Sequence, residues 1–587
     1  MANPFTVYSP EKMEAKMAEQ LFVEMHSDIS YIQTPDPAMI LGARGSGKTM
    51  LIRCLLPDVL RIRNNCNLSE LDFLAFHIPI KTTQANITDL QCLDKHHAAY
   101  IINEHFLSLN VLMNVLYSLS KLEFDSIFNE EQYLKYFNTI YLRYLKLSGC
   151  KKECTFNNKS TNGFFLELYH HAEEMYSDFT SYILSISDSS ENSSPPYNLP
   201  YLSYLRFLVP VLSGLKEISD FPDKSLYLFI DDADNLSLTQ TKILNSWIAS
   251  RTQPDISLKI SAQYAKYKTF ISMTGALVEA PHDYVEVNIS EIYTTKKDLY
   301  AKTVKTILER RLKIEGINID PNDYFPVNTK QEQAIEKIKD EILKNWEKDG
   351  RGNKPNDDVL RYARPNYIRD LGGQKKSRST YCYAGLETIT HLSSGIIRYV
   401  LDAAALMYDS TIKQKGIEQA RASIPYNIQD DILENKATTM LLSQFRNLET
   451  IIFREESEFS KASKLQNLLL SMGKTFHDIL MSETKSERRV FSIALSNIPT
   501  KEIREVLDFG VQTGFFHLST IGTKDGDGRT WLYIMNRGLS PFFKLDPSGF
   551  AGYLFVTNEA LEQAIYKGKK LREDIDEDTE IGQFTLF

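Results

Sequence analysis

The residues Gly42-Ala43-Arg44-Gly45-Ser46-Gly47-Lys48-Thr49 have the spacing of a phosphate-binding loop, Gly-x-x-x-x-Gly-Lys-Thr. Glycines let the backbone curl so that successive N–H groups point inward at phosphate oxygens. A helix that starts at the end of the loop adds its positive N-terminal end. The Lys48 ammonium would reach the β- and γ-phosphates of a nucleotide, and the Thr49 hydroxyl would hold Mg2+. A second run carries matching chemistry: Leu226-Tyr227-Leu228-Phe229-Ile230-Asp231-Asp232, an apolar strand that ends in two acids. Asp231 would share the metal with Thr49, and Asp232 would polarise the attacking water as a general base. This chemistry calls for a nucleoside triphosphate and Mg2+.

These residues need elements to place them. Ala38-Met39-Ile40-Leu41 is a short apolar strand entering the loop, and Met50-Leu51-Ile52 opens a helix that must stop near Pro57. Leu71 to Ile80 is short and dense in apolar residues, a second strand. Further strands are expected at Leu226 to Ile230, Tyr267 to Met273 and Val285 to Ile289. From Pro10 to Ile32 apolar residues recur at helical spacing. Residues 85–215 are mostly helical and separate the two halves of the site, so they form a large insertion beside the sheet. Strands alternating with helices over residues 35–290 predict a parallel α/β sheet. Beyond it the chain is mainly helical to residue 510. Residues 500–513 form an amphipathic helix, and Phe515 to Met535 reads as strand, glycine-rich turn, strand, which is the winged-helix arrangement.

The loop and the acid-tipped strand resemble those of the AAA+ ATPases, in particular the origin-recognition and replication-initiator clade and its prokaryotic relatives. The resemblance implies an α/β P-loop AAA+ core with a parallel sheet, a helical lid and a C-terminal winged-helix domain; the gap from Thr49 to Asp231 is far longer than such a core requires, so the large helical insertion departs from the family pattern. On that plan residues 1–300 are the core with its insertion at 85–215, 301–420 the lid, 421–480 a helical linker region, 481–560 the winged helix, and 561–587 a charged disordered tail. The family places a polar sensor of the γ-phosphate at the end of the next strand, and Thr274 is the residue expected there. The segment Ile289 to Leu312 is similar to the family's stretch leading into the first lid helix. His391-Leu392-Ser393-Ser394-Gly395-Ile396-Ile397-Arg398 resembles the second sensor, with Arg398 as the lid arginine. Leu392-Ser393-Ser394-Gly395 also resembles the ABC ATPase signature, but that loop should precede the acid-tipped strand and here it follows. Relatives act in rings with an arginine supplied in trans; Arg251 is the natural candidate, with Arg310 and Arg311 as alternatives. Many relatives carry Glu where this chain has Asp232. One methylene less brings the water closer or slows hydrolysis.

Composition bounds the rest. The 587 residues exceed a single core, and the formal net charge of −9 argues against a chain that coats nucleic acid by charge alone. Six cysteines follow no framework, and no apolar run reaches membrane-spanning length, so a cytoplasmic protein with reduced thiols and no membrane partner is expected. Lys501, Arg504, Lys524 and Arg529 could carry the winged helix onto DNA, although Glu502, Glu505, Asp525 and Asp527 dilute the field; a protein contact is the alternative. The basic stretch Arg361 to Arg378 could track a phosphate backbone or be a solvated loop. Gln583-Phe584-Thr585-Leu586-Phe587 resembles the peptide that docks on a bacterial sliding clamp, or is an apolar tail folded back. Three functions compete: an ATP-driven switch that regulates a separate effector such as a nuclease, in the setting of antiphage defence, as a homo-oligomer; a replication initiator or loader; and a scaffold with little turnover.

Overall fold

The computed structural model describes all residues except 1–2, 25–28, 81–98, 126, 153–154, 157–158, 188–198, 251–254, 290–295, 351–353, 374–379, 452–455, 484, 486, 524–527, 549–551, 573–580 and 584–587. The chain divides into two compact units, one of residues 8–43 and 47–289, the other of residues 1–7, 44–46 and 290–587.

The first unit is built on strands β1 (Ala38–Leu41), β2 (Phe73–Pro79), β3 (Ser225–Asp231), β4 (Ile256–Ala262) and β5 (Val285–Asn288). They form one parallel sheet in the order β2-β3-β4-β1-β5. Every residue of β1 and of β4 is buried, as expected of parallel strands covered on both faces. Helix α1 (Ala15–Leu21) is short, so the helical periodicity over residues 10–32 resolves into separate pieces. Helix α2 (Lys48–Cys54) leaves the loop, and α3 (Pro57–Asn64) starts with Pro57 in its first turn, where the missing N–H costs nothing. The insertion supplies the long helices α4 (Ala99–Lys121) and α5 (Thr161–Ser187), and α6 (Leu238–Ala249) follows β3. The insertion is not an appendage. Phe106, Leu112, Phe164, Phe165 and Leu168 belong to the same hydrophobic cluster as Leu74, Phe76, Leu228 and Ile230 of the sheet.

The sheet corrects one expectation. Residues 267–273 are not a strand; Ile271 only bridges to Leu277 across a turn. The strand between β3 and β1 is β4, which ends at Ala262, beyond the stretch of chain that follows Asp231. Its sequence, Ile-Ser-Leu-Lys-Ile-Ser-Ala, hides it, because Lys259 sits at its centre. That lysine is 0% exposed. Its Nζ donates to Thr34 O at 2.6 Å and Asp36 O at 2.5 Å and lies 4.6 Å from the centre of the Tyr227 ring. Burial pushes its pKa down to about 7, against a smaller upward pull from Asp36.

The second unit contains α7 (Lys297–Ile314), α8 (Thr329–Asp349), α9 (Pro355–Gly373), α10 (Leu386–Leu392), α11 (Ile397–Lys415), α12 (Tyr426–Ile451) and α13 (Glu456–Met481). Phe5 of the N-terminal segment is 0% exposed and packs among Tyr324, Phe325 and Tyr408. Arg311 fixes the same segment by donating to Pro4 O and Thr6 O. A second sheet combines β6 (Val490–Leu495), β7 (Phe516–Gly522), β8 (Arg529–Met535), β9 (Gly552–Val556) and β10 (Ile581–Gln583), in the order β10-β9-β6-β8-β7. Helix α14 (Lys501–Gln512) precedes the β7–β8 hairpin as expected, with Ile503, Val506 and Leu507 buried. Gly510 is required there: a Cβ would lie 2.4 Å from the Phe516 ring. The sheet is larger than a three-stranded winged helix, since β9 adds in parallel on the other side of β6. The expected disordered tail is structured in part. Residues 561–567 continue α15 (Asn558–Lys567), and β10 pairs with β9. Of the clamp-like peptide, only Gln583 lies among the described residues.

Candidate functional site

The loop from Gly42 to Thr49 links β1 to α2. Gly45 and Gly47 have φ of 86° and 111°, the left-handed region in which a side chain is costly. That curl brings the lysine back over its own loop: Lys48 Nζ donates to Gly42 O at 2.9 Å and to Ala43 O at 3.2 Å. Ser46 Oγ is buried in the loop with no partner among the described residues. A polar oxygen so placed suits a loop that receives phosphate, because an unmade buried hydrogen bond is expensive.

At the end of β3, Asp231 is 1% exposed and accepts hydrogen bonds at both oxygens. Thr49 Oγ1 donates to Oδ2 at 2.9 Å, so the two expected metal ligands are already side by side. His77 Nε2 also lies 3.1 Å from Oδ2. The Ser261 hydroxyl donates to Oδ1, and the Asp232 N–H reaches Oδ1 at 3.0 Å. Burial raises the pKa of Asp231, but His77, Ser261 and Thr49 together outweigh it and hold the carboxyl below its ordinary value. An ionised carboxylate beside a hydroxyl is the hard-oxygen donor set Mg2+ prefers, and that ion takes only one or two protein ligands alongside phosphates and water. No group of three or more His, Cys, Asp or Glu side chains forms a metal cluster among the described residues. Asp232 occupies the first position after the strand with φ 56° and ψ 39°, unusual for a residue with a side chain.

Thr274, the residue expected as the first sensor, does not end a strand. Thr274 lies in the turn after Ile271, where its hydroxyl pairs with Ser272 Oγ at 2.9 Å, and not at the end of a sheet strand. The residue that follows β4, between the loop strand and the acid strand, is Gln263. Its N–H and side-chain amide both donate to Asp234, at 3.1 and 3.3 Å. Ser261, Gln263, Asp234 and His77 were all missed from sequence. The usable signal was His77, one polar ring within an otherwise apolar strand.

The second unit includes loop residues 44–46. There the Arg398 N–H, at the start of α11, donates to Gly45 O at 3.1 Å, and a Cβ on Gly45 would lie 2.8 Å from Arg398 Cβ. The Arg398 side chain is exposed. The other arginines separate clearly. Arg311 is committed to the N-terminal segment, Arg310 is exposed, and Arg251 lies outside the described residues. Residues 361–373 are helix and not a solvated loop; Arg364 forms a forked pair with Glu332 and also donates to Tyr381. Lys375, Lys376 and Arg378 lie outside the described residues, as do wing residues 524–527. Among described residues Cys54, Cys66, Cys150 and Cys382 are free thiols. No described helix is long and apolar enough to cross a membrane.

A family model described as ORC-CDC6-like matches residues 3–555, nearly the whole chain. No curated protein matches.

Proposed function

Because the chain belongs to the ORC-CDC6-like family of AAA+ ATPases, we propose that it binds ATP with Mg2+, hydrolyses it slowly, and uses the cycle to regulate a partner that acts on nucleic acid. The observation that carries the reading is the 2.9 Å bond from Thr49 to Asp231, which joins the phosphate loop to the acid strand across the fold. In this reading the loop N–H groups and Lys48 bind the phosphates. Thr49 and Asp231 hold Mg2+, which supplies charge neutralisation on the phosphates when bound. Asp232 orients the attacking water, Gln263 takes the polar sensor position, and Arg398 is the lid arginine. A short acid at 232 supports slow turnover. The test is nucleotide binding and single-turnover hydrolysis by intact protein and Lys48→Ala. Wild-type turnover that the substitution abolishes is expected. Identical behaviour of the two proteins would leave the scaffold reading standing.

For the partner, the charge balance of α14 favours a protein contact over direct reading of DNA. Its acids are engaged where a groove-binding helix would need positive charge. Glu502 accepts from Tyr566, Glu505 pairs with Lys461 at 3.2 Å, and Asp508 lies 3.9 Å from Arg504. These pairs support the reading of a switch with a separate effector, and an operon encoding antiphage defence is the setting we propose for it. A DNA loader is the second reading. It requires tight ATP-dependent DNA binding that weakens steeply with salt. Binding measured from low to physiological salt, with and without ATP, separates the two.

A further inference from the structure

We propose that His77 is a positioning residue for the magnesium site, holding the Asp231 carboxylate from the neighbouring strand β2. The proposal rests on the reading of Thr49 and Asp231 as the magnesium ligands. It starts from sheet register. Pro79 pairs with Asp231 and His77 with Phe229, and alternation puts 77, 79 and 231 on one face. The imidazole thereby meets Oδ2 at 3.1 Å, and with an ionised acceptor opposite it, Nε2 carries the hydrogen.

The remaining bonds show what this contact adds. Ser261 and the Asp232 N–H fix Oδ1. At Oδ2 the other partner is Thr49, itself a proposed metal ligand. His77 is therefore the partner that fixes Oδ2 independently of the metal, and with Oδ1 anchored it blocks rotation of the carboxylate about its last bond. Outer partners of this kind orient ligands and set metal affinity.

His77 also differs from a packing histidine of the same unit. His105 is 1% exposed and burial pushes its pKa down to about 3, so it serves the core as a neutral ring. The His77 side chain keeps 15% exposure. With Thr49, Arg53, Tyr117 and Lys121 it lines a cavity of about 320 Å³. The His77 ring thus borders open space that also reaches Thr49, the proposed metal ligand, and is not sealed in the core as His105 is.

The experiment measures binding of a fluorescent ATP analogue to the full chain, titrated with Mg2+ and repeated in EDTA. Three variants are compared: His77→Ala, His77→Gln, whose amide nitrogen reaches the place of Nε2, and His77→Asn, whose amide falls short of it. His77→Ala and His77→Asn are expected to raise the Mg2+ concentration for half-maximal binding about 10-fold. Affinity in EDTA should be unchanged, and His77→Gln should return the midpoint to near wild type. Equal midpoints for all four proteins overturn the proposal. If His77→Ala melts early, the Gln and Asn variants decide, and the same midpoint in both overturns it. Thr49→Ala separates the two levels of inference. Loss of Mg2+ dependence there, with His77 variants unaffected, sinks the role of His77 alone. Wild-type binding that ignores Mg2+ sinks the magnesium site and this proposal with it.

Discussion

At Asp231 four hydrogen bonds converge on two oxygens, from the loop helix, from both neighbouring strands and from the next peptide. Such a carboxylate keeps one orientation, and preorganised groups of this kind lose little when charge develops in a reaction. The hydrogen bonds of the two proposed sensors, Gln263 and Thr274, differ. Gln263 follows β4 and is oriented by Asp234, whereas Thr274 is bonded within its own turn. Gln263→Ala is expected to bind ATP with affinity within about 3-fold of wild type and to hydrolyse it roughly 10²-fold more slowly, the usual cost of removing one aimed donor. Thr274→Ala should match wild type in both. Single-turnover rates beside equilibrium binding are the measurements.

At the scale of elements, Lys259 shows why the site was only half legible. The phosphate loop and the acid-tipped strand are local patterns, readable wherever they occur. His77, Ser261 and Gln263 act through register, and register is known only once neighbouring strands are known. β4 escaped detection because a lysine in mid-strand normally signals exposure. Here it is buried to tie residues 34–36 to the sheet, and it gives that strand a pH signature. Its folded pKa of about 7 lies below the ordinary lysine range. Between the two the unfolded chain binds a proton that the folded chain does not, so stability should rise with pH in that window. Denaturant midpoints from pH 7 to 9 should therefore climb more steeply for wild type than for Lys259→Met. Parallel slopes would mean the amine stays protonated in the fold.

The insertion belongs to this scale too. Phe164 is fully buried, and the ring beside it, Phe165, stacks with Phe124 and meets Phe221. Because these rings share one cluster with the sheet, Phe164→Ala is expected to destabilise the nucleotide unit by about 3–5 kcal/mol. Circular dichroism and release of bound nucleotide should then report the same lowered midpoint. An insertion that melted separately, with nucleotide still bound, would contradict the shared core.

For the molecule as a whole, the two units can be probed apart. Phe5 is the anchor of the N-terminal segment in the second unit, and the Arg311 bonds to Pro4 and Thr6 flank it. Phe5→Ala should cost about 3–5 kcal/mol in that unit. Proteolysis followed by mass spectrometry should show cleavage appearing first among residues 297–415, with the nucleotide unit still resistant. The family plan made the order of parts legible: sheet, helices, then a second sheet. The strands β6, β9 and β10 were not legible. They are short, and β9 joins β6 only from 57 positions further on, with no turn to announce the pair.

Strand order also dictates when folding can begin. β1 pairs with β4 and β5, and β2 pairs with β3, so neither early strand has a partner before residue 225. At about 5–20 residues per second, β2 waits roughly 7 to 30 seconds on the ribosome for the strand it will join. During that interval two apolar segments, Ala38–Leu41 and Phe73–Pro79, stand open beside helices that can already collapse on themselves. Nascent chains of this protein are therefore natural clients for chaperones that shield unpaired strands. Slowing synthesis within residues 99–220 should lower the soluble yield, while slowing it after residue 290 should leave the nucleotide unit untouched.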